Sequence, residues 1–237
     1  MPPPSLPEHR RISVFEQFST IVRASPCPDA DAEILTVPSS CVVSFLSGAV
    51  VPVCWAPALA LHSDVDCIAF TGSTRVGRQI MQYAGQSNLK RAWTELGGKS
   101  PLIVCADVAD LERAVETAIG AIFYNQGESC NAPSRLFVEQ SIKAEFLERA
   151  LARVPGYAPG DPLDPKTAMG ALVDDTQLAT VLRYIDAGVS EGANLLAGGE
   201  RARADSGGYY VLPTIFDNVR NERTIAREEI FGPVLSV

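Results

Sequence analysis

The sequence predicts an α/β fold with mostly parallel strands. Two observations carry this. From about residue 58 to Val237, short apolar runs alternate with helical patterns, and Gly, Ser or Asp stands at the junctions. The chain is also long and apolar enough to bury a core, at 237 residues with 46% hydrophobic and 20% charged side chains.

The elements follow in order. Val65–Phe70 is an apolar run ended by Thr71-Gly72-Ser73, and a helix starts near Thr74 with Val76, Ile80 and Tyr83 on one face. Ser73 is its expected N-cap. Ala92–Leu96 is a second short strand, closed by Gly97-Gly98, and Pro101–Cys105 a third. Asp110 is expected to cap a long helix, LERAVETAIGAIFYNQG. A strand at Arg135–Glu139 precedes a helix with Ser141 as its expected cap. A helix near Asp175–Ser190, a strand near Leu195 and an apolar stretch Tyr210–Phe216 complete the series. Residues 1–57 are less regular. Met1–Pro7 holds four prolines, residues 26–33 (PCPDADAE) form another turn-rich interruption, and Ile12–Val22 fits one short amphipathic helix.

Charge and cysteine usage narrow the function classes. The net charge is −8, and the Lys and Arg residues form no patch, which argues against nucleic acid and against an anionic membrane surface. Cys27, Cys41, Cys54, Cys67, Cys105 and Cys130 make no C-x-x-C pair, and His9 and His62 are the only histidines. No metal site is therefore expected, and the spacing reads as reduced thiols of a cytoplasmic protein. Residues 34–61 lack Asp, Glu, Lys and Arg, but Pro38, Pro52 and Pro57 interrupt them. They read as buried strand and loop, with no membrane span.

Four segments can carry chemistry. In Phe70-Thr71-Gly72-Ser73-Thr74 a strand enters a helix through a glycine, and free N–H groups there suit an anion. An ordinary capped helix is the alternative. In Glu95-Leu96-Gly97-Gly98-Lys99 a carboxylate ends a strand. If partly buried it can serve as a general base, and otherwise it is a surface Glu paired with Lys99. In Asn125-Gln126-Gly127-Glu128-Ser129-Cys130-Asn131-Ala132 a cysteine lies in a polar turn, whereas the other five have apolar neighbours and read as core. Glu228-Glu229-Ile230-Phe231-Gly232-Pro233 presents carboxylates and an aromatic at a rigid turn, or is simply an acidic helix end before a strand.

Together, and in this order, FTGST, ELGGKSP, FYNQGESC and EEIFGPV resemble the NAD(P)-dependent aldehyde dehydrogenase superfamily, over about residue 58 to the C-terminus. The stretch from Thr74 to Pro101 looks most like the subgroup acting on ω-amino aldehydes, including γ-glutamyl-γ-aminobutyraldehyde. The resemblance implies a divergent segment 1–57, the last part of a Rossmann-type dinucleotide-binding domain at 58–97, and most of an α/β catalytic domain at 98–237. It implies Cys130 as the nucleophile that forms a thiohemiacetal and then a thioester, and Glu95 as the base that activates water. It further implies Gly72, Ser73, Val76, Leu96, Glu229 and Phe231 as cofactor-binding residues, with NAD⁺ as cofactor and NADP⁺ left open. A small aldehyde is the implied substrate, and association with like or related subunits the implied assembly.

Three departures stand out. The family usually has Gln at Glu128 and Gly at Pro133. Its early oxyanion Asn and ribose-binding Lys have no counterpart, since residues 1–87 contain neither Asn nor Lys. Members of the family are also much longer. A truncated, non-catalytic homologue that acts by association is therefore the alternative expectation.

Overall fold

The computed structural model describes the backbone of residues 42–45 and all of residues 55–237, with side chains from Pro57 onward. The expected helix at Ile12–Val22 and the two proline-rich stretches lie outside the described residues. The chain divides into two units, one ending at Glu95 and the other running from Leu96 to Val237.

In the first unit, β1 (Val42–Phe45), β2 (Cys67–Gly72) and β3 (Arg91–Leu96) form a sheet in that order. β1 and β2 are parallel, with Val42 opposite Cys67. Two helices accompany them, α1 (Trp55–Leu61) and α2 (Thr74–Gln86). Ala60, Ile68 and Ile80 form the small core, joined by Val76, Tyr83 and Phe70. Helix α1 corrects the expectation of strand and loop over residues 34–61. Pro57 falls in the first turn of α1, where a missing N–H breaks no helical hydrogen bond. The break expected from that proline therefore does not occur.

The second unit is a three-layer sandwich. Its sheet runs β4 (Pro101–Val104), β5 (Arg135–Val138), β10 (Val234–Ser236), β9 (Thr214–Asp217) and β6 (Asn194–Ala197). The first four strands are mutually parallel and β6 is antiparallel to β9. Side chains alternate across a strand, so each strand serves both faces. Leu235 and Ile215 face α3 (Leu111–Phe123) and α4 (Lys143–Arg153), in a core with Phe123 and Phe146. Their neighbours Val234 and Phe216 face α5 (Asp175–Ser190) and α6 (Thr224–Arg227), in a second core with Val181 and Ile225. A short hairpin, β7 (Arg201–Ala202) with β8 (Tyr210–Val211), stands apart from the main sheet.

Helix caps follow local chemistry. Asp110 accepts the Arg113 N–H at 3.0 Å, and Asp174 accepts the Gln177 N–H at 2.7 Å. Ser141 does not cap α4. That helix begins at Lys143 without a side-chain cap, and the Ser141 hydroxyl donates instead to Glu139. The Tyr210–Phe216 stretch is two strands, because Pro213 interrupts it and β8 and β9 pair in different sheets. Cys105 is exposed just beyond β4, so its apolar neighbours do not make it a core residue. Among the described residues no helix is long and apolar enough to cross a membrane.

Phe146 is fully buried between α4 and the sheet. Phe146→Ala is expected to destabilise the second unit by about 3–5 kcal/mol, read as a lowered urea midpoint. An unchanged midpoint would mean that this core is loosely packed.

Candidate active site

Topology brings three of the four segments to one place. Leu96–Ser100 leads into β4, Cys130–Ser134 into β5 and Glu229–Pro233 into β10. These strands are neighbours and parallel, so all three segments lie at the amino end of the sheet. Open α/β sheets more often bind ligands at the carboxyl end. Here the loops before the strands carry the candidate side chains.

Backbone contacts fix the convergence. The Gly98 N–H donates to Glu229 Oε1 at 3.1 Å. Gly97 lies directly against the same carboxylate, and a β-carbon there would overlap it. Gly127 has φ +73° and packs its α-carbon on the Gly232 backbone, so both its conformation and its space exclude a side chain. A β-carbon on Gly98 would stand 2.9 Å from the Cys130 carbonyl oxygen. The Leu96–Lys99, NQGESC and EEIFGP segments thus meet at glycine backbone.

Cys130 itself is exposed in a turn after the α3 helix. The turn is knit by Asn125 Nδ2 donating to Glu128 O at 2.9 Å and by Ala132 N–H donating to Ser129 O at 3.1 Å. Pro133 sits inside a tight reversal in which the Ser134 N–H donates to Ala132 O at 2.8 Å. The donor that proline lacks is not called on there. Glu128 does not simply point its charge at Cys130. Its Oε1 accepts the Val173 N–H at 3.1 Å, and burial pushes its carboxyl above the usual carboxylate range.

The two acidic residues of EEIFGP diverge, as neighbours on extended chain do. Glu228 accepts the Tyr184 hydroxyl at 2.8 Å, while Glu229 faces Gly97 and Gly98. Phe231 has φ +56° and is 39% exposed, enough to offer a ring face. What holds it there is Gln177, whose side-chain amide donates to Ile230 O at 3.0 Å and Phe231 O at 2.7 Å. Sequence reasoning missed Gln177. The Asp174-x-x-Gln177 spacing signals a capping box, but only the Asp half forms, and the Gln amide reaches across to the loop.

The remaining predicted residues belong to the first unit. Ser73 Oγ accepts the Val76 N–H at 3.3 Å and caps α2, as expected. Its hydroxyl hydrogen remains available to an anion at the helix start. Glu95 is exposed, so the condition of partial burial for a general base is not met by the described residues alone. The surface pairing with Lys99 is also overturned. Lys99 Nζ is buried and has no hydrogen-bond partner among the described residues. Burial, and then Arg135, depress its amine to about 8, against a smaller opposite pull from Glu229.

The sign of that shift gives a test. Lys99 titrates near 8 in the fold and at the usual 10.5 when unfolded. The cost of burying its charge is therefore full below about pH 8 and relieved as pH rises toward 10.5. Lys99→Met is expected to stabilise the chain at pH 7 by about 2–3 kcal/mol, the gain shrinking through that window in thermal melts. A Met variant less stable at pH 7 would show that Lys99 is paired.

The comparisons with known proteins point to one family. The sequence profile of the aldehyde dehydrogenase family matches residues 37–237. Human mitochondrial aldehyde dehydrogenase is 53% identical over 180 residues, which is 76% of this chain and 34% of that protein. Among solved structures, γ-glutamyl-γ-aminobutyraldehyde dehydrogenase from Burkholderia cenocepacia is 61% identical with a TM-score of 0.74, covering 76% of this chain and 36% of that one. Indole-3-acetaldehyde dehydrogenase AldA of P. syringae, solved with NAD⁺ and IAA, is 57% identical with a TM-score of 0.75, covering 76% and 37%. The chain spans about a third of the length of the curated relatives it matches. With the profile matching most of its length and the structural likeness running through the segments around Cys130, the chain belongs to the aldehyde dehydrogenase family.

Proposed function

We propose that this chain carries the catalytic machinery of an enzyme that oxidises an aldehyde to a carboxylic acid with NAD⁺. The observation that carries the reading is the meeting of the Cys130 turn with the Gly97-Gly98 and Glu229 segments at one end of the sheet. The Cys130 thiolate adds to the aldehyde carbonyl and gives a thiohemiacetal. NAD⁺, when bound, supplies the acceptor for the hydride that leaves that carbon. The product on Cys130 is a thioester. Glu95 then takes a proton from water, the hydroxide attacks the acyl carbon, and the acid departs as the thiolate re-forms. The Cys130 backbone N–H is placed in this scheme to donate to the carbonyl oxygen as it gains charge.

Each unit, taken by itself, offers groups that suit part of a dinucleotide. Helix α2 offers first-turn N–H groups and the Ser73 hydroxyl, which suit phosphate, with Gly72 and Val76 beside them. In the second unit Glu229 offers a carboxylate for sugar hydroxyls, and Phe231 and Leu96 offer apolar surface for a ring. The substrate proposed is an ω-amino or related aliphatic aldehyde. The 61% identity to the Burkholderia γ-glutamyl-γ-aminobutyraldehyde dehydrogenase supports that choice.

NADH formation by the purified chain with 4-aminobutyraldehyde, measured beside Cys130→Ala and Glu95→Gln, is the test. A rate that vanishes in Cys130→Ala, with an acyl-enzyme accumulating in Glu95→Gln, is expected. Folded protein with no rate above the Cys130→Ala control would favour a non-catalytic homologue that acts by associating with related subunits.

We also place the chain in the cytoplasm, a reading that rests on Cys67, Cys105 and Cys130 standing as free thiols. Recovery in a membrane or secreted fraction of expressing cells would overturn it.

A further inference from the structure

The turn that delivers Cys130 is conformationally costly. Asn125, Gln126 and Gly127 are consecutive left-handed residues, with φ of 48°, 57° and 73°, and the first two carry β-carbons. Such a run persists only if its surroundings hold it. Two side chains of the turn reach the same external segment. Gln126 Oε1 accepts the Gly170 N–H at 3.1 Å, and Glu128 Oε1 accepts the Val173 N–H at 3.1 Å. The Gln126 amide also lies near the Glu128 carboxylate and favours its charged form. The receiving segment is itself fixed, since Met169 is buried in the core and the Leu172 N–H donates to Tyr209 O at 2.8 Å.

We infer that Gln126 and Glu128 are positioning residues, a paired clamp on residues 170–173 that holds the left-handed turn and sets how the Cys130 thiol is presented, with the charge on Glu128 as its control. The inference rests on the reading of Cys130 as the reactive thiol. Neither residue touches the reacting atoms. The ionised carboxylate accepts the Val173 N–H, and a protonated one accepts it less well. The groups facing it are the Val173 N–H, the Gln126 amide and the Asp174 carboxylate, which is engaged by the Gln177 N–H. Burial first, and Asp174 last, raise the pH at which Glu128 takes up its proton, against the Val173 hydrogen bond and the nearby Gln126 amide. The clamp therefore loosens as pH falls, and does so at a higher pH than an ordinary glutamate would set.

Iodoacetamide alkylation of the full chain, resolved by peptide mass spectrometry across pH 5 to 9, tests this without requiring turnover. Cys105, exposed in the same unit, is the internal reference. Glu128→Ala and Gln126→Ala are each expected to shift the Cys130 to Cys105 rate ratio by about threefold or more at neutral pH, and the double variant no further than the larger single one. Glu128→Gln should restore the ratio yet abolish the acid-side inflection of the wild-type profile. An unmoved ratio in both Ala variants, effects that multiply in the double variant, or an inflection that survives in Glu128→Gln would each overturn the clamp. Failure of the dehydrogenase reading shows separately, as no NADH formation above the Cys130→Ala control.

Discussion

The arrangement depends on glycine backbone lying against its neighbours where a β-carbon would collide. Gly127 lies on Gly232, Gly98 on the Cys130 carbonyl, and Gly97 on the Glu229 carboxylate. Each contact is closer than any residue with a β-carbon allows. Three loops drawn from the stretch between Leu96 and Pro233 thereby share one small volume. The parallel sheet makes this cheap, since β4, β5 and β10 are neighbours that begin at the same end. Their entry loops are brought together before any side-chain contact is formed.

Around that core of backbone, side chains act as struts more than as reagents. Gln177 holds the Phe231 turn, Gln126 and Glu128 hold the Cys130 turn, and Tyr184 takes the carboxylate that Glu229 does not need beside it. Both turns contain non-glycine residues at positive φ. Strain of this kind is common where a reactive group must be presented outward, provided the neighbours over-determine it.

Much of the fold was legible in the sequence. Asp110 and Ser73 announced their helices because short polar side chains at a helix start satisfy otherwise free N–H groups. The strands before and after them were short apolar runs with clear punctuation. Ser141 misled for the same reason, since a plausible cap can find another acceptor close by. Pro57 misled because proline is tolerated in a first turn, and sequence alone does not say where the first turn lies. At the site, Cys130 stood out by its polar surroundings. Gln177, the Glu128 contact with Val173 and the burial of Lys99 were not legible, because each is a meeting of residues far apart in the chain. Local spacing carries no record of such pairs.

The tether from Gln177 to the Phe231 loop has a consequence for how this region opens. Gln177 lies in the first turn of the 16-residue helix α5, whose other end is wedged at Gly188 against Ile225 and Phe216. The loop cannot swing away while that helix stays docked without giving up two hydrogen bonds to its own carbonyls. Loop and helix therefore behave as one cooperative segment. Amide exchange at the loop follows the opening of α5 rather than the faster fluctuations usual for an exposed turn.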